Sequence, residues 1–223
     1  MTIEGDSREY DVLAAHCETL GKQFPNKKLL LTAEVGVRKG LSSKIIMEYT
    51  RPNYSGLHFH IGIDPYGDLY YEHYDKSKPT KMDYNQQMFA EFKKDFADQE
   101  RFTLMNMTDK VFMEKYYYGV EFYYNSKSYL LNQYALVHFD GPHKTTDVLN
   151  EAIFFAERSA PGSLFIFDDW KTYNIHLIRQ VLNEYGFEFI SNGERKMIMQ
   201  RKPSKGSSGK NLHSVTSEIS LSA

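Results

Sequence analysis

The sequence has 223 residues, of which 41% are hydrophobic and 15% aromatic, so the chain can bury the core of one large domain or two small ones. Its 27 Lys and Arg residues and 29 Asp and Glu residues give a net charge of -2, which argues against nucleic acid or an anionic membrane as a partner. The single cysteine, Cys17, excludes a disulfide within the chain and a metal site of paired cysteines, and it favours a reducing compartment.

The first residues lack the basic region and apolar run of a signal peptide. No apolar segment of the sequence approaches the ~18 residues that are needed to span a bilayer. We therefore expect a cytoplasmic protein without a membrane segment. The sequence leaves the oligomeric state open, and a homo-oligomer is compatible with it.

Predicted strands and helices alternate along the chain. In order, the predicted elements are a helix at 9–20, strand 29–36, helix 42–49, strand 57–64, helix 84–96, strands 101–107 and 134–140, helix 145–159, strand 163–169, helix 174–185, and strands 187–191 and 196–200. Strands that alternate with helices are typical of an open α/β sheet. The last two strands, separated by a short polar turn, predict an antiparallel hairpin that closes the sheet.

The remaining segments set the domain boundaries. Residues 1–28 predict an N-terminal helix and linker that pack on a core domain at 29–202, and the Tyr-rich, charged stretch at about 65–100 indicates an insertion after the second strand. The aromatic stretch 113–129 gives no clear pattern. Residues 203–223, rich in Ser, Gly and Lys, predict a disordered tail.

The residues that follow the predicted strands are unusually polar, and ligands of open α/β sheets bind outside the carboxyl ends of the strands. Glu34, Gly36 and Gly40 form the pattern E-x-G-x-x-x-G, which matches neither the dinucleotide fingerprint nor a P-loop. The glycines would let a backbone approach a ligand closely. Asp64, at the next strand end, lies where a carboxylate can bind both hydroxyls of a ribose. Each residue also has a structural explanation, as a turn glycine or a helix cap.

Four segments together, AEVGVRKGLSS, HIGIDPYG, ALVHFDGPH and APGSLFIFDDW, resemble the class I S-adenosylmethionine-dependent methyltransferases. The resemblance is to the branch of the macrocin-type sugar O-methyltransferases and the cephalosporin hydroxylase-like proteins, and it covers roughly residues 29 to 202. It implies a Rossmann-like, doubly wound, seven-stranded sheet whose last strand is antiparallel. It also implies S-adenosylmethionine as cofactor, bound by Glu34, Gly36, Gly40, Ser42, Asp64, Thr108 and Asp140.

The same resemblance implies a metal ion, Mg²⁺ or another divalent ion, on Asp140, Asp168 and Asp169. Such an ion would lower the pKa of a hydroxyl and orient it. His143, on the turn after Asp140, is then the candidate general base, because Pro142 stands where several relatives carry an acid. Trp170 and Tyr173 are predicted to contact the acceptor. A helix-capping role for the acids and a plain helix-entry role for His143 are the alternatives.

We therefore predict a metal-dependent O-methyltransferase that acts on a small hydroxylated acceptor, a sugar or a glycosylated metabolite. A hydroxylase-like metalloenzyme and a non-catalytic cofactor-binding protein on the same fold are the alternatives. His58, His60 and His138 fit ordinary strand positions better than a metal site. The Tyr clusters at 70–74 and 116–124 fit either an acceptor lid or loop packing.

Overall fold

The computed structural model of the protein describes residues 8–67, 69–81, 84–202 and 218–219. The helices are α1 (Tyr10–Gln23), α2 (Leu41–Thr50), α3 (Gln86–Asp95), α4 (Asp109–Lys115), α5 (Thr145–Glu157) and α6 (Ile175–Glu184). The strands are β1 (Leu29–Val35), β2 (Leu57–Ile63), β3 (Tyr70–Tyr71), β4 (Thr80–Lys81), β5 (Phe102–Met105), β6 (Val120–Tyr124), β7 (Lys127–Leu131), β8 (Tyr134–Phe139), β9 (Ser159–Phe167), β10 (Phe187–Asn192), β11 (Met197–Arg201) and β12 (Glu218–Ile219).

The central sheet has seven strands in the order β10-β11-β9-β8-β1-β2-β5. Strands β9, β8, β1, β2 and β5 run parallel, whereas β11 is antiparallel to both of its neighbours, β10 and β9. The predicted Rossmann-like fold with an antiparallel last strand is confirmed. Because the carboxyl ends of the parallel strands meet at one edge, the polar residues that follow them are brought together there.

Helices cover both faces of the sheet, which is why the central strands are almost continuously apolar. Side chains that alternate along a strand point to opposite faces. On β8, Leu136 packs in the cluster formed with α1 and α2, and Val137 packs in the cluster formed with α5 and α6. The described helices include none that is both long and apolar enough to cross a membrane.

The sequence-based boundaries need three corrections. Helix α1 continues to Gln23, past residue 20, where the predicted helix ends. A Cβ on Gly21 would lie 2.1 Å from the carbonyl oxygen of Asn53, so this glycine permits close packing. The stretch 113–129, which the sequence left unassigned, contains the last residues of α4 and most of the antiparallel β6–β7 hairpin. The insertion contains, besides α3, a short hairpin of β3 and β4. The predicted tail lies outside the described residues except Glu218–Ile219, which pairs with β7.

Candidate active site at the carboxyl edge of the sheet

Two cavities adjoin at the carboxyl edge of the sheet. The acid cavity, about 490 Å³, is lined by the glycine turn after β1, the β3–β4 hairpin and the turns after β8 and β9. The Asp64 cavity, about 180 Å³, lies beside the end of β2 and the start of α4. Both are lined in part by Gly36, Tyr71 and Tyr84, so the inserted hairpin borders the two of them. Their sizes and their shared wall suit one extended ligand with a second molecule next to it.

A further cavity of about 840 Å³ lies at the opposite edge, where β1 and β2 begin, beside Lys27, Leu29 and Leu57. Parallel sheets bind ligands at the carboxyl ends of their strands. The strand-end acids also line the other two cavities. The smaller pair of cavities is therefore the candidate active site.

The glycine turn is held in shape by Asp64. Its Oδ2 accepts hydrogen bonds from the backbone N–H groups of Val37 (2.8 Å) and Arg38 (2.7 Å). Gly36 has a φ of 84°, and a Cβ on it would lie 2.1 Å from the carbonyl oxygen of Asp140. Burial raises the pKa of Asp64 to about 6, against the lowering effect of the two N–H groups. The turn thus presents its backbone and one nearly buried carboxyl to the cavities.

Gly40 and Ser42 line the acid cavity. A Cβ on Gly40 would meet the rings of Phe92 and Phe96 at 2.6 Å, so part of the need for glycine comes from α3 packing on the turn. This contact differs from the predicted close approach of a ligand. Gly36, whose neighbour is the backbone after β8, is the glycine that keeps the two strand-end turns in contact.

Glu34 lies behind the cavity wall, not on it. It is fully buried, pairs with His138 Nδ1 at 2.9 Å and accepts a hydrogen bond from Ser43. Glu34 thus supports the turn from the interior, and its predicted contact with the cofactor stays a prediction. His138 is a satisfied interior histidine, as predicted, because its Nε2 also faces Lys196 Nζ at 3.3 Å.

The other two strand histidines are interior as well. His58 Nε2 and His60 Nδ1 both lie within hydrogen-bond distance of the Thr32 hydroxyl, at 2.7 and 2.8 Å. Burial lowers the pKa of His60 to about 4, so its ring is neutral. The prediction that this pair occupies ordinary strand positions is confirmed.

The three acids of the predicted metal site all line the acid cavity, but two of them are paired with basic side chains. Asp168 is buried, and its Oδ1 lies 3.0 Å from the Nζ of Lys196, which is itself fully buried. The guanidinium of Arg195 donates to both carboxylate oxygens of Asp169. Burial and the nearby Asp168 raise the pKa of Asp140 well above its ordinary value. Lys196 and Arg195 thus offset the charge of Asp168 and Asp169, and burial beside Asp168 favours the neutral form of Asp140.

A divalent ion on Asp140, Asp168 and Asp169 would have to compete with Lys196 and Arg195 for oxygens that these cations already contact. Among the described residues, the set whose ligand atoms all lie within 4.8 Å of one another is Glu34, His138 and Asp140. That set has one imidazole, already engaged, and so does not match the two-histidine iron site of the hydroxylase alternative. The metal site therefore stays a prediction.

His143 lies in the wall of the acid cavity, close to the acids. Its Nδ1 is 3.0 Å from Nε2 of His73, which belongs to the loop of the inserted hairpin. Its Nε2 is buried without a hydrogen-bond partner among the described residues, and the nearest carboxylate oxygen, Asp169 Oδ2, is 3.7 Å away. Burial, followed by the neighbouring His73, lowers the pKa of His143 to about 4. The ring is therefore neutral at neutral pH.

Thr108 lines the Asp64 cavity, where it was predicted, and its hydroxyl accepts a hydrogen bond from Val111 N as the cap of α4. The next residue, Asp109, lines the same cavity and was missed. Burial raises the pKa of Asp109, and a hydrogen bond joins it to the buried Glu151. Its place at the start of α4, directly after a predicted adenine-side residue, was the signal in the sequence.

The acceptor contacts predicted for Trp170 and Tyr173 stay a prediction. Within the described residues, neither Trp170 nor Tyr173 lines the acid cavity or the Asp64 cavity. The backbone turns at Asp169, whose φ of 45° is left-handed, and Trp170 packs against the main core. Tyr173 is buried, and its hydroxyl donates to the carbonyl oxygen of Asp168 at 2.8 Å, so it supports the acid turn from behind.

The inserted hairpin forms one side of the acid cavity, through Tyr71, His73, Tyr74, Ser77, Lys78, Thr80 and Lys81. Sequence reasoning missed His73, Arg195 and Lys196. The Tyr cluster at 70–74 was left open between a lid and packing, and the structure places Tyr71 and Tyr74 in the cavity wall.

Comparison with known proteins identifies the family. A family described as "Methyltransferase domain" matches residues 33–170, which include the glycine turn and all the strand-end acids. None of the curated proteins matches the sequence. The chain belongs to this methyltransferase family, and the protein is an S-adenosylmethionine-dependent methyltransferase with the class I fold.

Solved structures of methyltransferases share the fold at low sequence identity. CalS11, a calicheamicin methyltransferase, has a TM-score of 0.57 at 16% identity, over 86% of this chain and 80% of that chain. The O-methyltransferase NovP has a TM-score of 0.57 at 12% identity, over 87% and 79%. An O-methyltransferase from Bacillus cereus in complex with SAH has a TM-score of 0.52 at 11% identity, over 89% and 82%. At these low sequence identities the similarity shows that the fold is shared.

Proposed function

We propose that this methyltransferase moves a methyl group from S-adenosylmethionine to a hydroxyl of a small acceptor, a sugar or a glycosylated metabolite, with His143 as general base. The observation that carries the proposal is His143 Nε2: a buried, neutral imidazole nitrogen without a hydrogen-bond partner among the described residues, in the wall of the acid cavity beside the glycine turn. The proteins with similar structures, a calicheamicin methyltransferase and two O-methyltransferases, support a hydroxyl on a small molecule as the acceptor.

The cavities fit the cofactor residue by residue. Asp64 offers a nearly buried carboxyl for the two ribose hydroxyls, and its Oδ2 already fixes the turn that would border the sulfonium. Thr108 and Asp109 line the far end of the same cavity, where an acid can accept from an adenine amino group. Gly40 and Ser42 line the acid cavity on the methionine side. When bound, the cofactor would supply an electrophilic methyl group.

The chain's own residues then have separate tasks. The hairpin and Tyr71 cover the acid cavity and restrict water, which strengthens the electrostatic interactions inside it. The buried ring of His143 accepts the hydroxyl proton at Nε2 while the oxygen attacks the methyl group in line. Arg195 and Lys196 fix the carboxylates of Asp169 and Asp168, so contacts within the protein keep the acid turns in shape.

Calorimetry with S-adenosylmethionine and SAH tests the cofactor part of the proposal. We expect the natural chain to bind both, Asp64→Ala to lose at least about tenfold in affinity, and the exposed control Asp98→Asn to bind normally. Failure of the natural chain to bind either ligand would overturn the proposal.

Turnover tests the base. We expect SAH to form when the natural chain is given small glycosides with free hydroxyls, and His143→Ala to lower kcat by about 10²–10⁴-fold with the cofactor affinity unchanged. An equal loss of cofactor affinity in His143→Ala would show that this residue only shapes the pocket.

A further inference from the structure

The inserted hairpin is fastened to the turn that carries His143. The backbone N–H of His143 donates to the carbonyl oxygen of His73 at 2.9 Å, and Tyr74 forms a parallel β-bridge with His143. Asp75 accepts hydrogen bonds from both the backbone N–H (2.9 Å) and the hydroxyl of Thr145, at the start of α5. The loop of the hairpin is therefore held over the site by hydrogen bonds to backbone and side chain.

Three side chains in the lining of the acid cavity form a hydrogen-bonded row from the buried His143 to the half-buried Tyr71. Tyr71 Oη lies 2.5 Å from His73 Nδ1, and His73 Nε2 lies 3.0 Å from His143 Nδ1. His143 is buried, whereas Tyr71 and His73 are half-buried. One end of the row is therefore His143 Nε2 in the cavity wall, without a hydrogen-bond partner among the described residues, and the other is the hydroxyl of Tyr71, a half-buried side chain that lines both cavities.

We propose that Tyr71 and His73 form, with His143, a proton-conducting row that carries the acceptor's hydroxyl proton out of the site; this inference rests on the proposed function. Before transfer, His143 Nδ1–H donates to His73 Nε2, and His73 Nδ1–H donates to Tyr71 Oη. His143 Nε2 is then left with a free lone pair, as a general base requires.

The proton moves along the row as the oxygen–methyl bond forms and the sulfur–methyl bond breaks. His143 Nε2 takes the hydroxyl proton, and the Nδ1 proton passes to His73 Nε2. The Nδ1 proton of His73 passes to Tyr71 Oη, and the original hydroxyl proton of Tyr71 leaves to water. One proton enters the row and one leaves, so each ring ends neutral in its other tautomer. Between turnovers, water that enters the emptied cavity takes the Nε2 proton of His143 while Tyr71 takes one proton from water, which restores the first state.

The row removes a difficulty that burial creates for a lone base. Burial and the neighbouring His73 lower the pKa of His143 to about 4, so an imidazolium there would be held at a high energetic cost. A row that hands the proton on never has to leave the positive charge on the buried ring. His73 is thus a positioning residue that also sets the tautomer of the base.

The test reads the protonation of individual ring nitrogens by NMR, on the full chain with ¹⁵N-labelled histidine and saturating SAH. In the natural chain we expect His143 Nε2 to give the signal of an unprotonated nitrogen and Nδ1 that of a protonated one. In His73→Phe, which cannot accept a hydrogen bond, the Nε2 signal should shift towards the protonated position. His73→Gln, whose amide oxygen can accept from Nδ1–H, should keep the natural signals of His143.

Two further variants separate the row from simple docking of the hairpin. Tyr71→Phe should shift the ring signals of His73 and leave those of His143 in place. Asp75→Asn, which weakens the attachment to Thr145, should leave both rings unchanged. Unchanged His143 signals in His73→Phe, equal shifts in Asp75→Asn, or a protonated Nε2 in the natural chain would each overturn the proposal.

These signals are read without turnover, so the two proposals fail separately. If the natural chain binds SAH but the His143 signals do not depend on His73, only the proton-conducting row is overturned. Loss of SAH binding in the natural chain overturns the proposed function.

Discussion

Lys196 Nζ lies 3.0 Å from Asp168 Oδ1, and the two side chains are 0% and 1% exposed. The lysine begins the segment that becomes the antiparallel strand β11, and the aspartate follows β9, its neighbour in the sheet. A charge pair so completely removed from water depends on both partners being present. The pair therefore joins the last strand of the sheet to the floor of the active site.

Lys196→Met should destabilise the protein by about 3–5 kcal/mol, because it leaves the Asp168 carboxylate buried without its cation. Urea unfolding followed by circular dichroism measures the loss. The double variant Lys196→Met, Asp168→Asn should recover part of it, since the charge is removed together with its partner.

The exposed pair of Lys202 and Glu188 offers a matched control, because its side chains are 55% and 48% exposed. Lys202→Met should cost only about 0–1 kcal/mol. Similar losses in the free energy of unfolding for Lys196→Met and Lys202→Met would show that the buried pair contributes no more to stability than the exposed pair.

Lys196 and Arg195 also lead to a prediction about metal ions. We expect Mg²⁺ to bind the natural chain weakly, and SAH affinity to change by less than about twofold between EDTA and Mg²⁺ buffers. Lys196→Met should bind Mg²⁺ more tightly than the natural chain, because it removes the cation that lies 3.0 Å from Asp168 Oδ1. Calorimetry with Mg²⁺ alone measures both affinities. Tight Mg²⁺ binding by the natural chain that disappears in an Asp140→Asn, Asp168→Asn double variant would instead support the metal site predicted from the sequence.

The parts of the fold that the sequence predicted are those fixed by local pattern. The apolar runs of β1 and β8 are buried on both faces, so composition alone distinguishes them from surface strands. The carboxyl edge follows from the α/β order, which is why the sequence alone could place Asp64, Asp140 and His143 at one site.

The features that the sequence did not predict depend on contacts between distant segments. His73 meets His143 across 70 positions of sequence, from an insertion without regular periodicity. Lys196 precedes an apolar strand and resembles an exposed hairpin lysine until β9 is placed beside it. Trp170 packs against the main core and lines neither cavity, because the backbone at Asp169 is left-handed, with a φ of 45°.

Gly36→Ala should destabilise the protein more than an ordinary left-handed glycine does. Gly36 and Gly186 have nearly the same φ, 84° and 80°, but a Cβ would lie 2.1 Å from the Asp140 carbonyl oxygen at the first and meets nothing within 4 Å at the second. Gly186→Ala should therefore lower the free energy of unfolding only by the cost of a left-handed backbone at an alanine, about 1–2 kcal/mol. Gly36→Ala adds a clash between two strand-end turns, so its urea midpoint should fall further and its SAH affinity should drop. Equal midpoints for the two variants would contradict the close approach of the turns.

The raised pKa of Asp64, about 6 against an ordinary 3.8, gives the last prediction. Because the folded protein holds this proton more tightly than the unfolded chain does, the contribution of Asp64 to stability falls as the pH rises from about 4 to about 6. The ribose hydroxyls need the ionised carboxylate as acceptor, so SAH affinity should change in the opposite direction. It should weaken about tenfold between pH 7.5 and pH 5, where roughly one Asp64 in eleven is ionised. Calorimetry across this range measures the change, and Asp64→Asn should bind weakly with no step near pH 6. If the SAH affinity of Asp64→Asn showed a step of the same size near pH 6, the titrating group would be one other than Asp64.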